Sequence, residues 1–284
     1  MSAAFPLVDA HVHVVAEDET RYPLNPAGLP GAWYREAPHS AEDFRACMQQ
    51  AGVAQAVLVQ PVGAYSFDNR YVADATGAHR DLFVGACCVD PHGEDPAAEL
   101  RYWVQERGLH GVRLFALDAS GPGWLAREEA RALWECADDL AAHVIVTIFA
   151  HQLPELRAVL QRHPRVRVSL DHCGFPALEG PPWTAADSLV ELAGHENLYL
   201  KITTHLLHGV QEKGHSPAAW VEHLVARFGA HRLMWGSDFS QTHSGTYPEL
   251  VAFAREVFGG LSPADQALCL GGTAARLWPL PPSA

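Results

Sequence analysis

Short apolar runs alternate with longer amphipathic stretches along the whole chain, and this alternation restricts the fold more than any other feature. The runs are Leu7–Val14, Gln55–Gln60, Leu82–Val89, Gly111–Phe115, Val144–Phe149, Val166–Leu170, Leu198–Ile202 and Leu233–Trp235, eight in all. Several are apolar without interruption, the pattern of strands buried on both faces by surrounding helices. The stretches between them predict helices at Ala41–Ala51, Asn69–His79, Ala97–Arg107, Arg127–Ala142, Pro154–His163, Ala185–Ala193, Pro217–Phe228 and Pro248–Phe258. Ser40 ahead of Ala41-Glu42-Asp43, and Ser216 ahead of Pro217, carry the chemistry of helix N-caps. Eight βα units in series predict a closed parallel (β/α)8 barrel of α/β class rather than an open doubly wound sheet. Two segments exceed the eightfold pattern. Glu17–Pro38, rich in proline, glycine and aromatics, is a long loop after strand one that could cover the barrel mouth, and Ser262–Trp278 is an extra C-terminal helical piece. Barrels of roughly 250 residues are common, and no linker interrupts the 284 residues, so residues 1–284 read as one domain.

In such barrels catalytic groups sit at the C-terminal ends of the strands. Strand one ends Asp9-Ala10-His11-Val12-His13. Residues two apart on a strand point to the same side, so both imidazoles are expected to face the barrel axis. Two neutral imidazoles so placed can chelate a divalent metal or hold one water. Strand six ends Asp171-His172-Cys173-Gly174 and strand eight Trp235-Gly236-Ser237-Asp238. An aspartate there, across the mouth from strand one, can take a proton from a water held by the histidines. Strand five is followed by His151, which by the same alternation shares the inward face of Thr147 and Phe149. Tyr65, Tyr34 and Trp33 are candidates for an aromatic wall, with core or lid packing as the alternative.

The balance of 33 acidic against 20 basic residues, a formal charge of −13, opposes binding to nucleic acid or an anionic membrane. The opening Met1-Ser2-Ala3-Ala4-Phe5-Pro6 has no basic n-region, and no run approaches roughly 18 uninterrupted apolar residues. Six scattered cysteines without a Cys-x-x-Cys pair fit reduced, buried thiols. The expectation is therefore a cytoplasmic protein acting on a small molecule, with a homo-oligomer compatible with the sequence.

Taken together, Asp9-x-His11-x-His13, Leu170-Asp171-His172-x-Gly174-x-Pro176 and Trp235-Gly236-Ser237-Asp238 resemble the amidohydrolase superfamily. Their order and spacing fit its amidohydrolase-related branch, which includes 2-pyrone-4,6-dicarboxylate lactonase, sugar lactonases and mononuclear-zinc decarboxylases. Lesser agreements extend over most of the chain, among them Val59-Gln60-Pro61, Gly111-Val112-Arg113, Gln152-Leu153-Pro154 and a closing Ala275-Arg276-Leu277-Trp278-Pro279. The resemblance implies that Asp238 activates water and later protonates the leaving oxygen. It implies that His172, with a metal or with His11 and His13, polarises the scissile carbonyl. Arg113 matches an arginine that meets a substrate carboxylate, a surface or rim salt bridge being the alternative; Lys201 matches a structural lysine. The dicarboxylate lactonase has further arginines in the loops after strands four and seven. Here those loops read Ala116-Leu117-Asp118-Ala119-Ser120 and Thr203-Thr204-His205-Leu206-Leu207-His208, which argues against a substrate with two carboxylates. Tyr65 and His205 are the further candidates for substrate contact, His205 and His208 offering neutral hydrogen-bonding groups.

Two activities follow from the resemblance. One is hydrolysis of a small lactone, with at most one carboxylate. The other is a metal-dependent non-oxidative decarboxylation, for which His151 would be the deciding ligand. His11, His13, His151 and Asp238 are the expected ligands of one divalent ion, zinc or manganese, while related lactonases operate metal-free with the same residues holding water.

Overall fold

The structure is a computed structural model in which residues 6–281 are described, apart from Ala27, Pro30, Ser120 and Pro122. The opening Met1–Phe5 and the loop residue Ser120 thus lie outside the described residues. Among the described residues are eight strands: β1 (Val8–Val12), β2 (Gln55–Val59), β3 (Phe83–Cys88), β4 (Gly111–Phe115), β5 (His143–Thr147), β6 (Val168–Leu170), β7 (Leu198–Thr203) and β8 (Leu233–Gly236). They pair in parallel in chain order. The ring closes just beyond β8, where the Asp238 N–H donates to the His11 carbonyl at 2.9 Å and the His13 N–H to the Phe239 carbonyl at 2.6 Å. This is the (β/α)8 barrel that the alternation predicts.

Burial on both faces explains the strands' composition. Leu58, Val112, Val144 and Leu200 pack outward against the helices, while Val57, Val59, Val84, Ile145 and Met234 belong to a second apolar cluster. That second cluster is completed by the C-terminal piece through Leu277 and Trp278. A side chain at Gly111 would collide with the Trp278 ring, so glycine there makes room for it.

The capping chemistry holds as read. Ser40 forms a reciprocal capping box with Asp43, and Ser216 accepts from the Ala219 N–H with Pro217 in the first turn. The helices at Ala41–Ala51 and Pro217–Phe228 have the expected bounds. Ala97–Arg107 divides into an α-helix, Pro96–Arg101, and a π-helical turn, Tyr102–Glu106. Thr204–Glu212, read as loop, is a helix capped by Thr203, burying Leu206, Leu207 and Val210.

The long loop after β1 folds over the mouth. Its Tyr22 hydroxyl donates to Asp74 at 2.6 Å, its Asn25 N–H to the Ala64 carbonyl at 2.8 Å, and its Trp33 ring lies 5.7 Å from that of His13. Among the described residues no helix is long and apolar enough to cross a membrane.

Candidate active site

The ends of β1, β6, β7 and β8 converge on one buried polar cluster. The ladder of β1 on β2 shifts register between Asp9 and Val12, an irregularity that re-aims side chains. Asp9 turns to the β8 seam, accepting from the His11 N–H at 3.1 Å, the Ser237 N–H at 2.9 Å and the Tyr247 hydroxyl at 3.0 Å. His11 and His13 sit in the cluster instead. Gly236 permits this approach, because a Cβ there would lie 2.6 Å from that of His11. His172 (φ 52°), Cys173 (φ 53°) and Asp238 (φ 59°) all occupy the left-handed region. For non-glycine residues that conformation costs on the order of 1–3 kcal/mol and persists where surrounding structure enforces it, often at functional sites.

Asp238 is the hub of the upper tier. Its Oδ1 lies 3.4 Å from His11 Nε2 and 3.5 Å from His13 Nε2, and its Oδ2 accepts from the Thr242 hydroxyl at 3.1 Å. His13 Nδ1 must carry a proton, since it meets the Val59 carbonyl at 2.8 Å and a carbonyl can only accept. His13 Nε2 is the ring atom turned toward Asp238. His172 is held by its Nδ1 against the Thr203 hydroxyl at 2.7 Å, leaving Nε2 as its other ring nitrogen for the site.

Asp171 anchors the lower tier. Its Oδ2 accepts from the Thr147 hydroxyl at 2.8 Å and from Arg113 Nε at 3.0 Å. Its Oδ1 lies 3.2 Å from His11 Nδ1 and 3.3 Å from Lys201 Nζ. Lys201 Nζ in turn meets His11 Nδ1 at 3.1 Å. Three atoms in these tiers are buried without a hydrogen-bond partner: His11 Nε2, Asp171 Oδ1 and Asp238 Oδ1.

Burial lowers His11 to about 3 and His172 to about 4, so both imidazoles are neutral at pH 7. Burial alone would raise Asp238. The surrounding imidazoles of His13, His172 and His11 outweigh it and hold the carboxyl well below the usual carboxylate range. Asp171 is likewise ionised, burial being outweighed by His11, Lys201 and Arg113. Burial raises Asp9 to about 6 and lowers Lys201 to about 8.

The structure brings together four of the residues picked out from sequence: His11, His13, His172 and Asp238. Arg113 joins them through Asp171 and Thr147; only its Nε is engaged, and its guanidinium lies over the Phe115 ring. Tyr65 is buried in the aromatic cluster under the long loop, its hydroxyl accepting from the Ala16 N–H at 2.8 Å. His205 is exposed at the mouth, edge-on to His172 with ring centroids 5.9 Å apart. His151 stands outside the cluster. β5 ends at Thr147, and a 3-10 turn at Ala150–Gln152 breaks the alternation that would have pointed His151 inward; it is exposed and stacked on Phe149.

Four participants escaped sequence reasoning in their actual roles: Asp171, Lys201, Thr203 and Thr242. Lys201 carried a usable signal. It is one of only two lysines in the chain, and it sits in a buried strand.

Above Asp238 lies a cavity of about 470 Å³, lined by Trp33, Glu36, His205, His208, Glu212, Gln241, Thr242, His243 and Ser244 among others. No arginine or lysine among the described residues lines it. Its walls are hydrogen-bonding, and Glu36 there faces the His243 ring at 3.7 Å.

The model of the amidohydrolase family matches residues 8–280. The chain belongs to the amidohydrolase family. This amidohydrolase is 29% identical to an L-fucono-1,5-lactonase of Burkholderia ambifaria, over 95% of the chain and 94% of the relative. Among solved structures it resembles a Pseudomonas putida protein assigned as a 2-pyrone-4,6-dicarboxylic acid hydrolase, at 24% identity and a TM-score of 0.78, covering 96% of this chain and 97% of the other. A Burkholderia multivorans amidohydrolase with bound zinc is similar at 20% identity and a TM-score of 0.76, over 97% and 100% of the two chains.

The amidohydrolase's own residues fit one divalent ion. His11, His172 and Asp238 each offer a ligand atom, all within 4.8 Å of one another. Two of those residues hold unpartnered buried atoms, His11 Nε2 and Asp238 Oδ1. Two imidazoles and a carboxylate suit zinc or manganese and leave coordination positions open. Compared with the ligand set expected from sequence, His172 takes the place of His151, and His13 stands beside the group rather than in it.

Proposed function

We propose that this amidohydrolase hydrolyses a small, uncharged, polyhydroxylated lactone, a cyclic ester of the sugar-acid type, with Asp238 as general base. The observation that carries the reading is the ionised, buried Asp238 beneath the cavity, its Oδ1 3.4 Å from His11 Nε2 and 3.5 Å from His13 Nε2. A water that donates one proton to the Asp238 carboxylate turns a lone pair toward the cavity. Attack on the lactone carbonyl gives a tetrahedral oxyanion, and Asp238 takes the proton released by the water. The same proton then passes to the ring oxygen as the ring C–O bond breaks, leaving a hydroxy acid. His172 stands by the developing oxyanion and His205 by the rest of the substrate. A divalent ion held by His11, His172 and Asp238 would supply carbonyl polarisation and a more acidic water.

The relatives' names support lactone chemistry, and the cavity supports the substrate's lack of charge. A polyol is recognised by side chains that donate and accept, such as His205, His208, Gln241 and Ser244, and no arginine or lysine among the described lining residues offers a dianion a fixed positive partner. Arg113, bound to Asp171 and Thr147, is not among the lining residues, which leaves a substrate carboxylate without that partner in the cavity. The decarboxylase alternative relied on His151 as a ligand, and its exposed position gives that reading no support.

The test is a panel of 1,4- and 1,5-sugar lactones, aromatic lactones and aromatic acids, scored for acid release and for CO₂. Acid release confined to sugar lactones is expected; CO₂ release from an aromatic acid would overturn the proposal.

A further inference from the structure

Lys201 is wholly buried and reaches the site from the interior of the barrel wall at β7. An ammonium has three donors and no acceptor. Around it are His11 Nδ1 at 3.1 Å and Asp171 Oδ1 at 3.3 Å, with those two atoms 3.2 Å apart. Of the three contacts in this triangle, Lys201 to His11 is the shortest and has the geometry of a hydrogen bond, while the Asp171 carboxylate attracts both groups. The other Asp171 oxygen is already engaged by Thr147 and Arg113.

A neutral imidazole carries one N–H. If Nδ1 accepts from the ammonium, the proton must be on Nε2, the atom that faces Asp238 at 3.4 Å. We propose that Lys201 is a positioning residue that fixes the His11 proton on Nε2, making His11 a hydrogen-bond donor into the site and opposing metal ligation through that nitrogen. Before Nε2 can bind a metal its proton must leave, and the neutral imidazole must carry it on Nδ1 instead. There the Nδ1–H would point at the N–H groups of Lys201, donor against donor, unless Lys201 swings wholly onto Asp171. His11 thereby becomes a donor to Asp238 Oδ1, the oxygen that His13 Nε2 also faces at 3.5 Å. This inference rests on the hydrolytic reading of the site for its consequence, but its test uses no substrate.

The tautomer is read directly by long-range ¹H–¹⁵N correlation on the chelator-treated full chain, with His11 resonances assigned by difference from His11→Gln. Wild type is expected to show His11 protonated on Nε2. In Lys201→Met, Asp171 Oδ1 is left to accept from His11, and the proton is expected to move to Nδ1. A wild-type proton on Nδ1, or a Lys201→Met pattern identical to wild type, would overturn the proposal. Zinc titration gives a second readout. Removing Lys201 is expected to tighten zinc binding by roughly the ten- to hundredfold that partners of ligating histidines command; unchanged or weaker affinity contradicts the proposal. If Lys201→Met does not fold, the wild-type tautomer decides alone. Failure here leaves lactone hydrolysis standing, and failure of the lactone panel leaves the tautomer standing.

Discussion

Asp238 Oδ1 lies 3.4 Å from His11 Nε2 and 3.5 Å from His13 Nε2, so one ionised carboxylate oxygen meets both β1 histidines. Asp238 borders the cavity, which makes this group of three the natural seat of a nucleophilic water. His13→Gln keeps a polar group but loses the ring nitrogen aimed at Asp238. It is expected to lower kcat about a hundredfold, within the range of lost proton-transfer positioning, with KM changed little. Steady-state kinetics on a turned-over lactone checks this; a change in KM alone would make His13 a substrate contact.

The pH profile follows from burial. With His11 lowered to about 3, His172 to about 4 and Asp238 ionised, the working protonation states are in place well below neutrality. kcat/KM is expected to be flat between pH 5 and 7.5 and to fall only below pH 5. An acidic limb centred near 6.5, the value of an unperturbed histidine, would contradict that electrostatic picture.

Stability should respond to the same groups. Unfolded, these histidines titrate near 6.5, whereas folded His11 and His172 stay neutral to about 3 and 4, and His143 is also lowered by burial. Between pH 6.5 and 4 the unfolded chain therefore binds more protons than the folded one, and stability falls as pH falls. Asp9, raised to about 6, acts in the opposite sense over part of this window, but it is one group against three. Urea midpoints should be lower at pH 5 than at pH 7; an equal or higher midpoint at pH 5 would be inconsistent with neutral buried imidazoles.

Asp9 is a seam residue, and its variants should separate hydrogen bonding from charge. Asp9→Asn retains Oδ1 for the His11 and Ser237 N–H groups and presents its amide to the Tyr247 oxygen, so stability at pH 7 should stay within about 1 kcal/mol of wild type. Asp9→Ala leaves those donors buried and unpaired and should cost roughly 2–4 kcal/mol. Denaturant titration decides; equal losses in both variants would show that the negative charge, not the acceptor, matters.

Chelation probes the metal. The site has the residues for one ion, yet the aspartate–histidine arrangement can hold and activate water by itself. Turnover should survive removal of bound metal by a chelator, checked by elemental analysis. Stoichiometric zinc whose loss abolishes turnover would sink the metal-free route.

Much of this architecture was legible in the sequence because barrel strands are buried twice. Val57-Leu58-Val59 and Val144-Ile145-Val146 have no solvent face to alternate with, so they stand out as apolar runs. The residues at strand ends were legible for the converse reason: His11, His13, His172 and Asp238 interrupt apolar surroundings where only function or pairing explains a polar group. What stayed hidden depended on long-range or local geometry. Lys201 meets His11 across 190 positions of sequence. The register shift that turns Asp9 outward and the 3-10 turn that carries His151 to the surface are backbone events without a side-chain signature. The helix at Thr204–Glu212 was masked by His205, His208 and Gly209, which dilute its apolar face.

The central claim is tested most directly by Asp238→Asn, assayed beside wild type on a 1,5-sugar lactone in ¹⁸O-labelled water. Wild type is expected to place one labelled oxygen in the product carboxylate, and the variant to lose about three orders of magnitude in kcat/KM while its circular dichroism matches wild type. Near-native turnover by the folded variant would remove Asp238 as the base and contradict the account.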